Sequence, residues 1–134
     1  MAFKEVVAQH PAQKIQMDQL MVDQALPVAD LDQWDPVLLI HHAFDYLEAG
    51  WHPRQSGVGP HPHRGFSPIT FVIRGDVHHR DSRGNSSVVK AGGMQWMDAG
   101  MGITHSERPS AEFAETGGPM EIVQCWINLP AAKK

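Results

Sequence analysis

From Pro60 onward, short runs rich in β-branched and aromatic residues alternate with glycine- and asparagine-bearing turns, a pattern that predicts antiparallel strands. Ile69 to Ile73 forms one such run and is closed by Gly75-Asp76. Val77 to Arg80 leads into Asp81-Ser82-Arg83-Gly84-Asn85, which has the composition of a hairpin loop, and Ser86 to Lys90 returns as a strand. Ala91-Gly92-Gly93 breaks that strand, Met94 to Asp98 forms another, and Ala99-Gly100-Met101-Gly102 turns the chain back towards His105. Met120 to Leu129 reads as a closing strand. Its alternation places Ile122, Gln124 and Trp126 on one face and Val123, Cys125 and Ile127 on the other.

The amino-terminal third is less regular. Phe3 to Ala8 and Lys14 to Val22 read as edge or hairpin strands joined by a turn at His10-Pro11-Ala12-Gln13. Pro27 to Asp35 is a polar connector whose Leu31 and Trp34 are expected to cover one end of the fold. Val37-Leu38-Leu39-Ile40 is too short an apolar run for a helix and suits a buried strand. Asp45 to Pro60 reads as a long loop, as does the polar stretch from Arg108 to Pro119.

Two histidine-bearing segments stand out within this pattern. Side chains at i and i+2 of a strand share a face, so His61 and His63 can converge on one point, as can His105 and Glu107. Together they offer three imidazoles and one carboxylate, and the turns between them bring the pairs together. His41-His42 and His78-His79 are the competitors. Adjacent strand residues face opposite ways, so at most one of each pair points inwards. Both pairs read as structural or surface residues. On that reading His79→Ala leaves metal occupancy intact, His105→Ala cuts it sharply, and acidification below about pH 6 releases the ion. Cys125 reads as a small packed residue.

Composition adds bounds. The chain has 134 residues, a length suited to a single domain over 1–134 with a sizeable core. A formal net charge of -4 without a Lys/Arg cluster argues against direct nucleic-acid binding. No apolar run approaches the roughly 20 residues of a membrane span. The first five residues lack the apolar core of a signal peptide, and one cysteine cannot form an internal disulfide, so a cytoplasmic location is expected.

His61-x-His63 followed by Ala99-Gly100-x-Gly102-x-x-His105 resembles the paired motifs of a cupin barrel. The fuller strings His61-Pro62-His63-Arg64-Gly65-Phe66, His79-Arg80-Asp81-Ser82, Gln95-Trp96-Met97 and Gly102-Ile103-Thr104-His105-Ser106-Glu107 are similar to the pirin subfamily of cupins. The resemblance implies an all-β fold, a single cupin barrel (double-stranded β-helix, jelly-roll type) of antiparallel strands. It also implies a metal held by His61, His63, His105 and Glu107. One divalent ion, Fe(II), is the expected cofactor, and Zn, Ni, Cu or Mn could take the same site in a purified sample.

Two departures from the family pattern bear on function. Ser67 stands where pirins and many cupins carry a glutamate, four residues after the second histidine, which puts a catalytic base beside the metal in doubt. Pirins also continue into a second cupin domain after the segment matching Trp126 to Pro130, where this chain has four residues. The face that would pack on such a domain is expected to be buried in a homodimer. The activity implied is that of a quercetin 2,3-dioxygenase, with a small aromatic flavonol as substrate. The alternative is an iron-dependent, redox-responsive regulator that binds a transcription factor or metabolic enzyme as its protein partner.

Overall fold

A computed structural model describes residues 5, 6, 9–28 and 34–134. Among these residues ten strands build two facing antiparallel sheets: β1 Gln13–Met17, β2 Leu20–Leu26, β3 Val37–Leu47, β4 Val58–His63, β5 Phe66–Arg74, β6 Asp76–Asp81, β7 Ser86–Lys90, β8 Met94–Trp96, β9 Ile103–Arg108 and β10 Gly118–Asn128. The six-stranded sheet runs β1-β2-β3-β10-β5-β8 and the four-stranded sheet β4-β9-β6-β7. This is the expected all-β jelly roll, with one difference. Among the described residues the sheets remain an open sandwich, because β7 pairs only with β6, and β8, three residues long, pairs only with β5.

Alternation explains which faces are buried. On β3, Leu39, His41 and Ala43 point into the sandwich, and Phe44 and Tyr46 are exposed. β10 presents Met120, Ile122, Gln124 and Trp126 inwards, the face predicted from its pattern, in register with Val72, Thr70 and Pro68 of β5. The outer face of the larger sheet leaves Phe71, Met94 and Trp96 exposed.

Apolar packing sits at the two ends of the interior. Leu20, Val22, Ala43 and Met120 form one cluster, with Ile15, Met17, Phe113 and Ile122 against it, and Met97, Ala99 and Ile103 form another. Between them the centre is polar: His41, His63, Thr70, His105, Glu107 and Gln124 are all buried. Burying so many polar side chains is unfavourable unless they satisfy one another or a ligand.

Several expectations change. Lys14 to Val22 is a hairpin, because Asp18 adopts a left-handed φ of 52° and reverses the chain between β1 and β2. The strand expected at Phe3 to Ala8 lies largely outside the described residues, and Glu5 and Val6 are exposed without strand structure. β3 continues to Leu47, since its backbone pairs with β10 from Gly118, opposite Leu47, to Ile127, opposite Val37. The connector's Leu31 lies outside the described residues. Trp34 is exposed, and walls a cleft with Val37, Phe66 and Trp126. Part of the polar stretch after Arg108 is a short helix, α1 Ala111–Thr116, capped by Ser110, whose hydroxyl accepts from the Phe113 N–H. Buried Asp76 holds that cap by accepting from the Ser110 N–H at 2.8 Å and hydroxyl at 2.6 Å.

Candidate metal centre

The β4–β9 pair builds the site. His61 lies directly opposite His105 and His63 opposite Ile103, so the two His-bearing faces meet inside the sandwich. Gly57 makes the approach possible: a Cβ there would collide with the Glu107 carbonyl, and its φ of 72° suits only glycine. His61, His63 and His105 offer ring nitrogens that all lie within 4.8 Å of one another. His61 Nε2 stands 3.1 Å from His105 Nε2. Nitrogens bound side by side to one ion at about 2.1 Å would stand about 3.0 Å apart.

Three further observations fit a cation. His61 Nδ1 lies 2.7 Å from the Gly59 carbonyl, which can only accept, so the proton sits on Nδ1 and Nε2 is bare. His63 Nε2 is buried and has no hydrogen-bond partner among the described residues. Burial, reinforced by the neighbouring imidazoles, lowers His63 to about 4 and His105 to about 3. Both rings are therefore neutral donors at neutral pH, the form a metal requires.

Glu107 lies beside this triad, its Oε2 3.8 Å from His105 Nε2. Both oxygens are engaged, Oε1 by the Thr70 hydroxyl at 2.7 Å and Oε2 by the Gln124 amide at 2.8 Å. The Trp126 indole N–H donates to Gln124 Oε1 at 3.1 Å, which fixes the amide orientation. Trp126 also stacks on Phe66 at 4.3 Å, and both rings meet His63 edge-on. Each carboxylate oxygen has further lone-pair capacity.

The remaining histidines separate clearly. His42 faces outwards and pairs with Glu121 at 3.1 Å. His41 points inwards, 3.0 Å from Gln24 Oε1, and lines a cavity with His61 and Glu107. His78 bonds Ser86 near the surface. Of the two roles expected for His79, structural or surface, it takes the structural one: it is buried, and its Nδ1 lies 3.3 Å from His105 Nδ1. Sequence reasoning missed this contact. The alternation of β6 leaves either His78 or His79 inside, and the pairing of β6 with β9 selects His79.

Ser67 loses the significance given to it. Its hydroxyl donates to Asp98 at 2.6 Å, and alternation on β5 turns it away from the face that carries Thr70. A longer side chain at 67 would start from the wrong side of the strand.

The pirin family model matches residues 19–127. The chain belongs to the pirin family. A Pseudomonas aeruginosa protein that carries the provisional name quercetin 2,3-dioxygenase is 46% identical over 101 residues, 74% of this chain and 34% of that protein. A crystal structure of quercetin 2,3-dioxygenase from Acinetobacter baumannii superposes with a TM-score of 0.82 at 39% identity, covering 92% of this chain and 43% of that one. A bacterial pirin from Escherichia coli in complex with nickel(II) gives a TM-score of 0.68 at 30% identity, over 87% of this chain and 48% of that one. The pirin-like chain thus has the cupin jelly-roll fold and spans about a third of the length of the curated relatives it matches. No helix among the described residues is long and apolar enough to cross a membrane.

Proposed function

We propose that His61, His63, His105 and Glu107 hold one divalent transition metal, iron(II) in the working protein, and that the protein is a non-haem dioxygenase acting on a flavonol-like, quercetin-type substrate. The observation that carries this reading is the convergence of ring nitrogens of His61, His63 and His105 within 4.8 Å of one another, with the Nε2 atoms of His61 and His105 3.1 Å apart. When bound, a divalent ion in a site of imidazoles and one carboxylate supplies a Lewis acid for a chelating hydroxyl and carbonyl pair and a redox centre for dioxygen.

The chain's own residues do the rest. The three imidazoles donate as neutral ligands, and Thr70 and Gln124 hold the Glu107 carboxylate in position for a fourth bond. Met17, Leu20, Val22, Val58, Met120 and Ile122 give the adjoining cavity an apolar lining. That cavity measures about 40 Å³, room for about three water molecules, so a three-ring flavonol requires the pocket to widen, and the β1–β2 hairpin forms one of its walls.

Oxygen uptake by protein loaded anaerobically with Fe(II), with quercetin added and His63→Ala as the control, tests the proposal. Uptake that needs both the flavonol and His63 supports it. No uptake from a fully loaded sample overturns the dioxygenase activity.

A further inference from the structure

We infer that Asp81 and His79 form a positioning dyad that fixes the tautomer and ring orientation of His105, so that its Nε2 lone pair is presented to the metal centre. The inference rests on the metal-binding reading above, and the contacts behind it are those of His79 with Asp81 and with His105.

The dyad begins at a carboxylate that is itself immobilised. Asp81 Oδ1 accepts the backbone N–H groups of Arg83 at 2.9 Å and Asn85 at 3.0 Å, and Oδ2 accepts the Asn85 side-chain amide at 2.8 Å. Burial opposes its charge, yet the bonds from Asn85, His79 and Arg83 outweigh that and hold its carboxyl below the usual range. An ionised carboxylate can only accept. His79 Nε2, 3.2 Å from Asp81 Oδ2, therefore carries a proton.

With Nε2 turned to Asp81, His79 presents Nδ1 as an acceptor, and the atom it faces at 3.3 Å is His105 Nδ1. That nitrogen must carry the single proton of neutral His105, which leaves His105 Nε2 bare, 3.1 Å from His61 Nε2. On the facing strand the Gly59 carbonyl imposes the same tautomer on His61. The opposite pattern, with His79 charged and donating to His105, would place positive charge beside a dication and a proton on the nitrogen that should ligate it.

Register makes the arrangement rigid. Asp81 pairs with His105, and His79 with Glu107, along the β6–β9 ladder. The side chains of His79 and Asp81 are only 7% and 3% exposed, so bulk water does not compete for these bonds. A hydrogen-bonded partner on the remote nitrogen of a ligating histidine orients the ring and raises its basicity, and losing it commonly costs 10–100-fold in metal affinity.

The test pairs nitrogen-15 NMR of the imidazoles in the metal-free protein with zinc affinity by chelator competition. Wild type should show His105 protonated at Nδ1. His79→Phe should yield mixed tautomers and bind zinc about 10–100-fold more weakly. His79→Asn, which keeps an acceptor near the Nδ1 position, should restore most of the affinity, and Asp81→Asn gives a second variant that preserves shape. A wild-type His105 protonated at Nε2, or a folded His79→Phe with unchanged tautomer and affinity, overturns the dyad. Should His79→Phe fail to fold, an Asp81→Asn protein with unchanged tautomer and affinity overturns it instead. A wild type that shows the expected tautomer but binds neither zinc nor iron overturns the metal reading and leaves the dyad standing.

Discussion

His61 Nε2 and His105 Nε2 face each other at 3.1 Å across the β4–β9 pair, and the Gly59 carbonyl leaves the first of them without a proton. A cation between them makes this geometry favourable. His61→Ala and His105→Ala are each expected to lower metal content from one ion per chain to below about a tenth, read by elemental analysis of refolded, iron-loaded samples. Full occupancy in either variant would remove that histidine from the ligand set.

Glu107 depends on its two neutral neighbours. Thr70→Val and Gln124→Leu each strip one hydrogen bond from a buried carboxylate, a loss of about 1–3 kcal/mol for the metal-free protein. Urea unfolding gives the number, and the loss should shrink when metal is present to take up the freed lone pair. A midpoint unchanged in both variants would show that these two bonds do not hold Glu107 in the folded protein.

The pH dependence has a definite sign. His63 and His105 fall from an ordinary 6.5 to about 4 and about 3 in the folded chain, chiefly through burial and then through the neighbouring imidazoles, so the unfolded chain binds their protons more readily. Stability of the metal-free protein from these two groups is complete above about pH 6.5 and is lost as pH falls through about 4 and 3. Urea midpoints should drop over that window. Bound metal should likewise survive at about pH 5.5 and leave nearer pH 4, lower than ordinary imidazoles would predict. Quantitative release at pH 5.5 from folded protein would contradict the lowered values.

The β1–β2 hairpin closes the cavity with Met17, Leu20 and Val22. Leu20→Ala should destabilise the protein by about 2–5 kcal/mol, because Leu20 is 3% exposed within the end cluster. The same change should raise the on-rate for a flavonol more than for a single-ring chelator, measured by stopped-flow absorbance on iron-loaded protein. Equal acceleration for both would place the barrier elsewhere.

Much of the centre was legible because strand alternation is a local property: His61 with His63, and His105 with Glu107, share faces whatever the rest of the chain does. His79 was not legible in the same way. Its burial depends on β6 lying between β9 and β7, a pairing of distant segments that no spacing encodes. Asp18 hid the first hairpin, since the turn Asp18-Gln19 has no glycine to mark it. The glycines and prolines from Gly50 to Pro60 drew the loop boundary too early, although His42, Phe44 and Tyr46 keep the outward alternation of a continuing strand. The helix at Ala111–Thr116 carried one overlooked signal, Pro109-Ser110 ahead of it, where serine caps the first turn.

His61 and His105 are direct partners in register yet belong to strands that meet only when β4 docks on β9. No partly folded chain with those strands apart contains the centre, so binding of an ion there would be thermodynamically linked to completion of the four-stranded sheet. Free ion at 100 times its dissociation constant would add about 2.7 kcal/mol to the folded state. Depleting the metal would then do more than silence a reaction: it would shift the balance between the intact fold and the proteolysis-sensitive chain, making abundance itself a reporter of metal supply.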